Sequence, residues 1–167
     1  MSKKSSTLLA VAMVLPGCHA DPAATAATAS GESCVLVRWE DGDTPYVDCG
    51  SGPAPVRLLE IDTPESGFDD NSRGRAEWQA KLWRIPVEEI QACGKRATGR
   101  AREICPDGSR VTLKGDGRDK YDRRLSHMWC GVETSGVSVN QQLVDEGHAG
   151  KYPFPADPER PGLCGAR

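Results

Sequence analysis

Five strand-like segments, with a helical stretch between the third and the fourth, predict an α+β fold: a five-stranded OB-type β-barrel with two or three helices packed on it. A chain of 167 residues has room for one domain with a real core. Hydrophobic residues make up 38% and charged residues 27%, a balance that excludes wholesale disorder.

Residues 34–40 have a strand-like pattern and run into Asp41-Gly42-Asp43, a strong turn signal. The second strand, 46–49, is closed by Gly50-Ser51-Gly52-Pro53, and residues 56–61 make the third, so the three read as a meander. Residues 75–83 form an amphipathic helix ended by Pro86, and a second helix runs from about Gly94 to Ile104, with Ala97, Ala101 and Ile104 on one face. Pro106-Asp107-Gly108 breaks it. Residues 111–113 and 124–129 supply the fourth and fifth strands across a turn holding Gly115, Asp116 and Gly117. The last helix is expected over 137–148, with Val139, Leu143 and Val144 facing inward and Gly147 near its end. Prolines 153, 155, 158 and 161 argue against further helix in the tail, 153–167.

The first residues follow a different logic. Lys3 and Lys4 precede an apolar run, 8–15, which is too short to span a bilayer and reads as an export signal. Leu15-Pro16-Gly17-Cys18 resembles a bacterial lipobox, so residues 1–17 are expected to be a signal peptide and Cys18 the lipidated first residue. Residues 18–32, rich in Ala, Thr, Ser and Gly, then make a flexible tether. The expected location is the cell envelope, the outer membrane if the host is Gram-negative, since His19 and not an aspartate follows the cysteine. The competing reading is an ordinary cleaved signal and a secreted or periplasmic protein. Loss of Lys3 and Lys4 takes the net charge from −3 to about −5, so a general electrostatic grip on duplex DNA is a poor expectation.

Of the seven cysteines, six remain once Cys18 is set aside, which suits an oxidising compartment. Cys34 and Cys49 flank the Asp41-Gly42 turn symmetrically and can face each other across a hairpin. Cys93 and Cys105 bracket a helix, where twelve residues of rise put them about 18 Å apart, beyond disulfide reach. That leaves Cys105 with Cys130 and Cys93 with Cys164, among fifteen possible connectivities. Zinc is not expected, since no paired CxxC spacing exists.

Four segments carry chemistry: Asp41-Gly42-Asp43-Thr44, Arg57-Leu58-Leu59-Glu60-Ile61-Asp62-Thr63-Pro64-Glu65, Asp119-Lys120-Tyr121-Asp122-Arg123, and Leu143-Val144-Asp145-Glu146-Gly147-His148-Ala149. Each has a bland reading. Asp41-Gly42-Asp43 alone is a hairpin turn, Thr63-Pro64-Glu65 a helix entry, Arg57 a solvated strand residue, and Arg123 one of a basic cluster. Asp43 and Asp62 are hard oxygen donors suited to Ca²⁺ or Mg²⁺.

In their order and spacing the four segments resemble the staphylococcal nuclease (thermonuclease) family, over a domain spanning residues 33–152. The resemblance implies that Asp43, Asp62 and the backbone carbonyl of Thr63 hold Ca²⁺. Arg57 and Arg123 would clamp phosphate oxygens, and Glu65 would be the general base. It also implies a nuclease cleaving single-stranded or locally melted DNA and RNA to 3′-phosphate products, monomeric and with no obligate protein partner. Tyr121 and Tyr46 are candidates for stacking on bases, with barrel packing as the alternative. Two departures from the family pattern stand out: Asp122 where a glycine is usual, and a longer insertion at 66–92. Competing readings are a catalytically inactive nucleic-acid- or protein-binding module and a structural envelope lipoprotein.

Overall fold

The computed structural model describes residues 31–67 and 69–153. The expected signal peptide, most of the tether, Cys18, and the tail beyond Pro153 lie outside the described residues, as does the Cys164 half of the expected Cys93–Cys164 pair.

The strands are β1 (Glu32–Asp41), β2 (Thr44–Asp48), β3 (Pro53–Leu58), β4 (Ile61–Asp62), β5 (Arg110–Lys114), β6 (Arg124–Cys130) and β7 (Gly150–Lys151). The helices are α1 (Asp70–Trp83), α2 (Val87–Ile104) and α3 (Val139–Asp145). Five strands close a barrel in the order β1-β2-β3-β6-β5, with β5 returning to β1. Every barrel pair is antiparallel except β3 with β6, which is parallel. This is the α+β barrel that the sequence predicts.

The barrel closes around Leu36, Trp39, Val47, Val56, Leu58, Val111, Leu113 and Met128, all buried. Strict alternation would turn Leu36 and Trp39 to opposite faces, but a register shift between Leu36 and Arg38 lets both point inward. Ala101 and Cys105 of α2 and Val139 and Leu143 of α3 extend the same core. The indole of Trp39 donates to the Cys105 carbonyl at 3.0 Å, and Arg100 of α2 grips Glu146 through Nε at 2.6 Å and Nη2 at 2.9 Å. Two of the expected disulfides are present, Cys34–Cys49 and Cys105–Cys130. They close loops of 15 and 25 residues, worth about 3 kcal/mol each in the chain-entropy account.

Four boundaries differ from the sequence reading. The last helix, expected over 137–148, spans only Val139–Asp145, because Ser138 caps its start by accepting from the Gln141 amide and Glu146 closes its end. The third strand stops at Leu58 because Glu60 adopts a left-handed φ of 63°, and the chain resumes as β4 against β7. The second helix begins at Val87 and not near Gly94. Pro86, read as the end of one helix, is the N-cap of the next, with Arg84 in left-handed conformation closing α1. The early helix begins at Asp70, where the Asp69 side chain accepts from the Asn71 and Ser72 amides. Cys93 therefore lies inside α2. The 66–92 insertion is α1 plus the first turns of α2, and Ala76, Ala80, Trp83 and Ile90 bury a small core of their own between the two helices.

Candidate active site

The β1–β2 turn, the end of β3, β4 with the segment that follows it, the 115–123 loop and α1 converge on one cavity of about 770 Å³. The left-handed turn at Glu60 brings the chain back after β3, so that Arg57 and the Asp62-Thr63-Pro64-Glu65 run line the same cavity. Two glycines make the close packing behind it feasible. A Cβ at Gly94 of α2 would fall 2.5 Å from the Pro64 carbonyl oxygen, and one at Gly42 would fall 2.9 Å from Thr63 Cγ2. A helical glycine costs about 1 kcal/mol relative to alanine; here it lets the Pro64-Glu65 backbone lie against the helix.

Asp43 and Asp62 are buried, and the Arg57 guanidinium stands between them, 2.8 Å from Asp43 Oδ2 through Nη1 and 2.8 Å from Asp62 Oδ1 through Nη2. Asp43 Oδ2 also accepts from the Thr63 amide at 2.7 Å and its hydroxyl at 3.1 Å. Asp62 Oδ1 takes a second guanidinium, Arg75 of α1, at 2.5 Å. Gln79, one helical turn beyond Arg75 and only 1% exposed, is the fastener of the segment. Its Nε2 donates to Asp62 Oδ2 and to the Thr63 carbonyl, both at 2.9 Å, while its Oε1 accepts from the Glu65 amide at 2.7 Å. The Glu65 carboxylate accepts from the Ser66 and Gly67 amides at 3.0 and 3.1 Å.

Burial works against the charge on Arg57, yet Asp43, Asp62 and Asp41 outweigh it and raise its pKa above the usual value. For Asp62, burial and then the charge of Asp43 push the carboxyl up, against Arg75, Arg57 and Gln79. Asp41 is pushed up to about 8, first by burial and then by the charge of Asp43, with Glu65 adding to it. The folded chain therefore keeps a proton on Asp41 that the unfolded chain loses above its ordinary 3.8. Stability from this group is fully present below 3.8 and is lost as pH rises through about 8. Asp41→Asn should abolish that loss in a chelator-containing buffer and be more stable than the parent at high pH. Superimposable curves of melting temperature against pH would refute this.

Arg123 sits at the cavity wall with Asp119 as its partner, at 2.7 Å from both Nε and Nη2 to Asp119 Oδ2. Burial opposes it, but bonds from the Arg123 side chain and amide and from the Tyr121 amide hold the Asp119 carboxyl below its ordinary value. Asp122 takes the left-handed φ of 63° that a glycine would favour. Its carboxylate faces Arg118 at 3.3 Å, and the Arg118 guanidinium also donates to its carbonyl at 2.7 Å. The acidic side chain is thus paired with Arg118 at an exposed position.

The structure brings Asp43, Arg57, Asp62, Thr63, Glu65, Tyr121 and Arg123 to this cavity, but not Tyr46, which lies on β2 with the Arg38 guanidinium 3.8 Å over its ring. Sequence reasoning missed Asp41, Arg75, Gln79 and Asp119 as members of the site. Gln79 left a signal: it shares a face with Ala76, Ala80 and Trp83, a polar residue where the helix buries itself.

Residues 55–161 match the family model described as "Staphylococcal nuclease homologue", a stretch that includes Arg57, Glu65 and Arg123. The chain is similar to a thermonuclease of Staphylococcus intermedius, 32% identical over 114 residues, covering 67% of this chain and 57% of that protein. It is likewise similar to the SPbeta prophage-derived endonuclease YokF of Bacillus subtilis (33% over 117 residues, 68% and 32% covered) and to endonuclease YncB of the same organism (32% over 117 residues, 68% and 45% covered). The chain thus spans between a third and three fifths of the length of these relatives. The family model covers more than half of the 167 residues, and on that footing the chain belongs to the family of staphylococcal nuclease homologues.

Proposed function

We propose that this protein is an exported nuclease that hydrolyses phosphodiester bonds of single-stranded or locally melted DNA and RNA with the help of Ca²⁺, leaving 3′-phosphate ends. The observation that carries the reading is the convergence of Arg57, Arg123 and Glu65 on one cavity with Asp41, Asp43 and Asp62.

The donor set fits a hard cation. Asp43, Asp62 and the Thr63 carbonyl are all oxygen donors, and Gln79 Nε2 holds an Asp62 oxygen beside that carbonyl. Among the described residues the one tight group of candidate metal ligands is Glu32, Cys34 and Cys49, whose two thiols are spent in a disulfide. The cavity carboxylates do not converge as closely, since Arg57 stands between Asp43 and Asp62. Bound Ca²⁺ would neutralise phosphate charge and help to orient the substrate.

The chain's own residues do the rest. Arg57 and Arg123 offer planar guanidinium donors to the phosphate oxygens as negative charge builds on them. The Glu65 carboxylate accepts the proton of an attacking water, its geometry fixed by the Ser66 and Gly67 amides. In Ca²⁺, the oxidised protein should cut single-stranded DNA and RNA into fragments with 3′-phosphate ends, and a chelator should stop it. Nucleic acid left intact would refute the reading.

Export is supported by the two disulfides, which belong to an oxidising compartment. The lipid anchor at Cys18 rests on the Leu15-Pro16-Gly17-Cys18 sequence. Cys18→Ala should move the protein from the membrane fraction to the soluble one, and an unchanged distribution would remove the anchor from the account.

A further inference from the structure

Helix α1 brings an aromatic side chain to the edge of the site that the hydrolytic machinery does not use. Trp78 is 43% exposed. A single exposed aromatic residue is ordinary on a protein surface; the surroundings of Trp78 are not. It lines an open groove of about 670 Å³ with Asn71, Gly74, Arg75, Tyr121 and Arg123. Four of those residues, Asn71, Arg75, Tyr121 and Arg123, line the reaction cavity as well, so the groove continues it.

The groove alternates rings and cations. The Arg75 guanidinium lies 4.9 Å from the Trp78 ring, and Arg123 lies 5.4 Å from the ring of Tyr121, which is 68% exposed. Aromatic faces take a nucleobase and guanidinium groups take a phosphate. A groove offering both, joined to a site for a phosphodiester, has the two kinds of surface that a single strand presents partners for, base and phosphate.

We propose that α1 forms a second subsite, in which the base of a nucleotide flanking the scissile phosphate stacks on Trp78 and the adjoining phosphate meets Arg75. The proposal rests on the nuclease reading and adds to it a role for the 66–92 insertion: holding the strand beyond the bond that is cut.

The test measures binding and so does not depend on turnover. In a Glu65→Gln background, fluorescence anisotropy compares a labelled single-stranded oligothymidylate with an abasic oligomer of the same length. Trp78→Ala should weaken binding of the oligothymidylate about tenfold and leave the abasic oligomer unchanged, while Trp78→Phe should restore most of the affinity. Because Trp78 is half-exposed, the alanine variant should melt with its parent. Equal affinity of Trp78→Ala and parent for the oligothymidylate, or an equal loss on both oligomers, would overturn the subsite. A wild-type protein that binds in this pattern but does not cleave would refute the nuclease reading and keep the subsite. Cleavage without the pattern would do the reverse.

Discussion

Replacing Gln79 with leucine is expected to destabilise the protein by about 3 kcal/mol and to lower kcat/KM on single-stranded DNA about a hundredfold. Leucine nearly matches glutamine in volume, so packing is kept and hydrogen bonding alone is removed. Three groups then lose their partner at the buried contact between the segment and α1: an Asp62 oxygen, the Thr63 carbonyl and the part-buried Glu65 amide. Each unsatisfied buried group costs about 1–3 kcal/mol, and some recovery by local shifts makes the lower part of the summed range the expectation. The activity loss follows from position. Asp62, Thr63 and Glu65 are consecutive parts of the site, and Gln79 is the side chain that ties all three to α1. A displacement of about 1 Å at reacting groups is enough for a loss of that order. Thermal denaturation and steady-state kinetics of Gln79→Leu check both halves. An unchanged melting temperature with unchanged kcat/KM would mean that α1 is decoration.

Much of this was legible in the sequence because local pattern and tertiary demand agree. The strand-like run 34–40, the Asp41-Gly42-Asp43 turn and the symmetric Cys34 and Cys49 are local signals of a hairpin, and the structure has that hairpin and that disulfide. The strand-like segments 111–113 and 124–129 likewise became β5 and β6. Where the two disagreed, the reading slipped. Leu58-Leu59-Glu60-Ile61 looks like one continuous strand, and nothing in a glutamate announces a positive φ; only the need to return the chain to the cavity forces it. Pro86 was ambiguous for a different reason, since proline both ends helices and begins them.

The site divides in the same way. Asp43, Arg57, Asp62, Thr63, Glu65 and Arg123 were legible because they fall in recognisable segments. Tyr46 is the exception: it lies further along β2, outside the cavity lining, with the Arg38 guanidinium over its ring. Arg75 and Gln79 lie in an insertion with no family pattern to match, so their role appears only once α1 is docked. Asp41 looked like turn chemistry and is that too, since its Oδ1 accepts from the Asp43 amide at 3.1 Å.

The central claim is that this cavity cleaves phosphodiesters with Glu65 as the proton acceptor. Glu65→Gln tests it most directly. The amide oxygen of glutamine can still accept from the Ser66 and Gly67 amides, so the loop geometry and the melting temperature should be retained. What is lost is the capacity to take a proton from water. With single-stranded DNA and Ca²⁺, the wild type should cleave and Glu65→Gln should be slower by about a hundredfold to ten-thousandfold, with affinity for an oligonucleotide little changed. Equal rates for the two proteins would contradict the account.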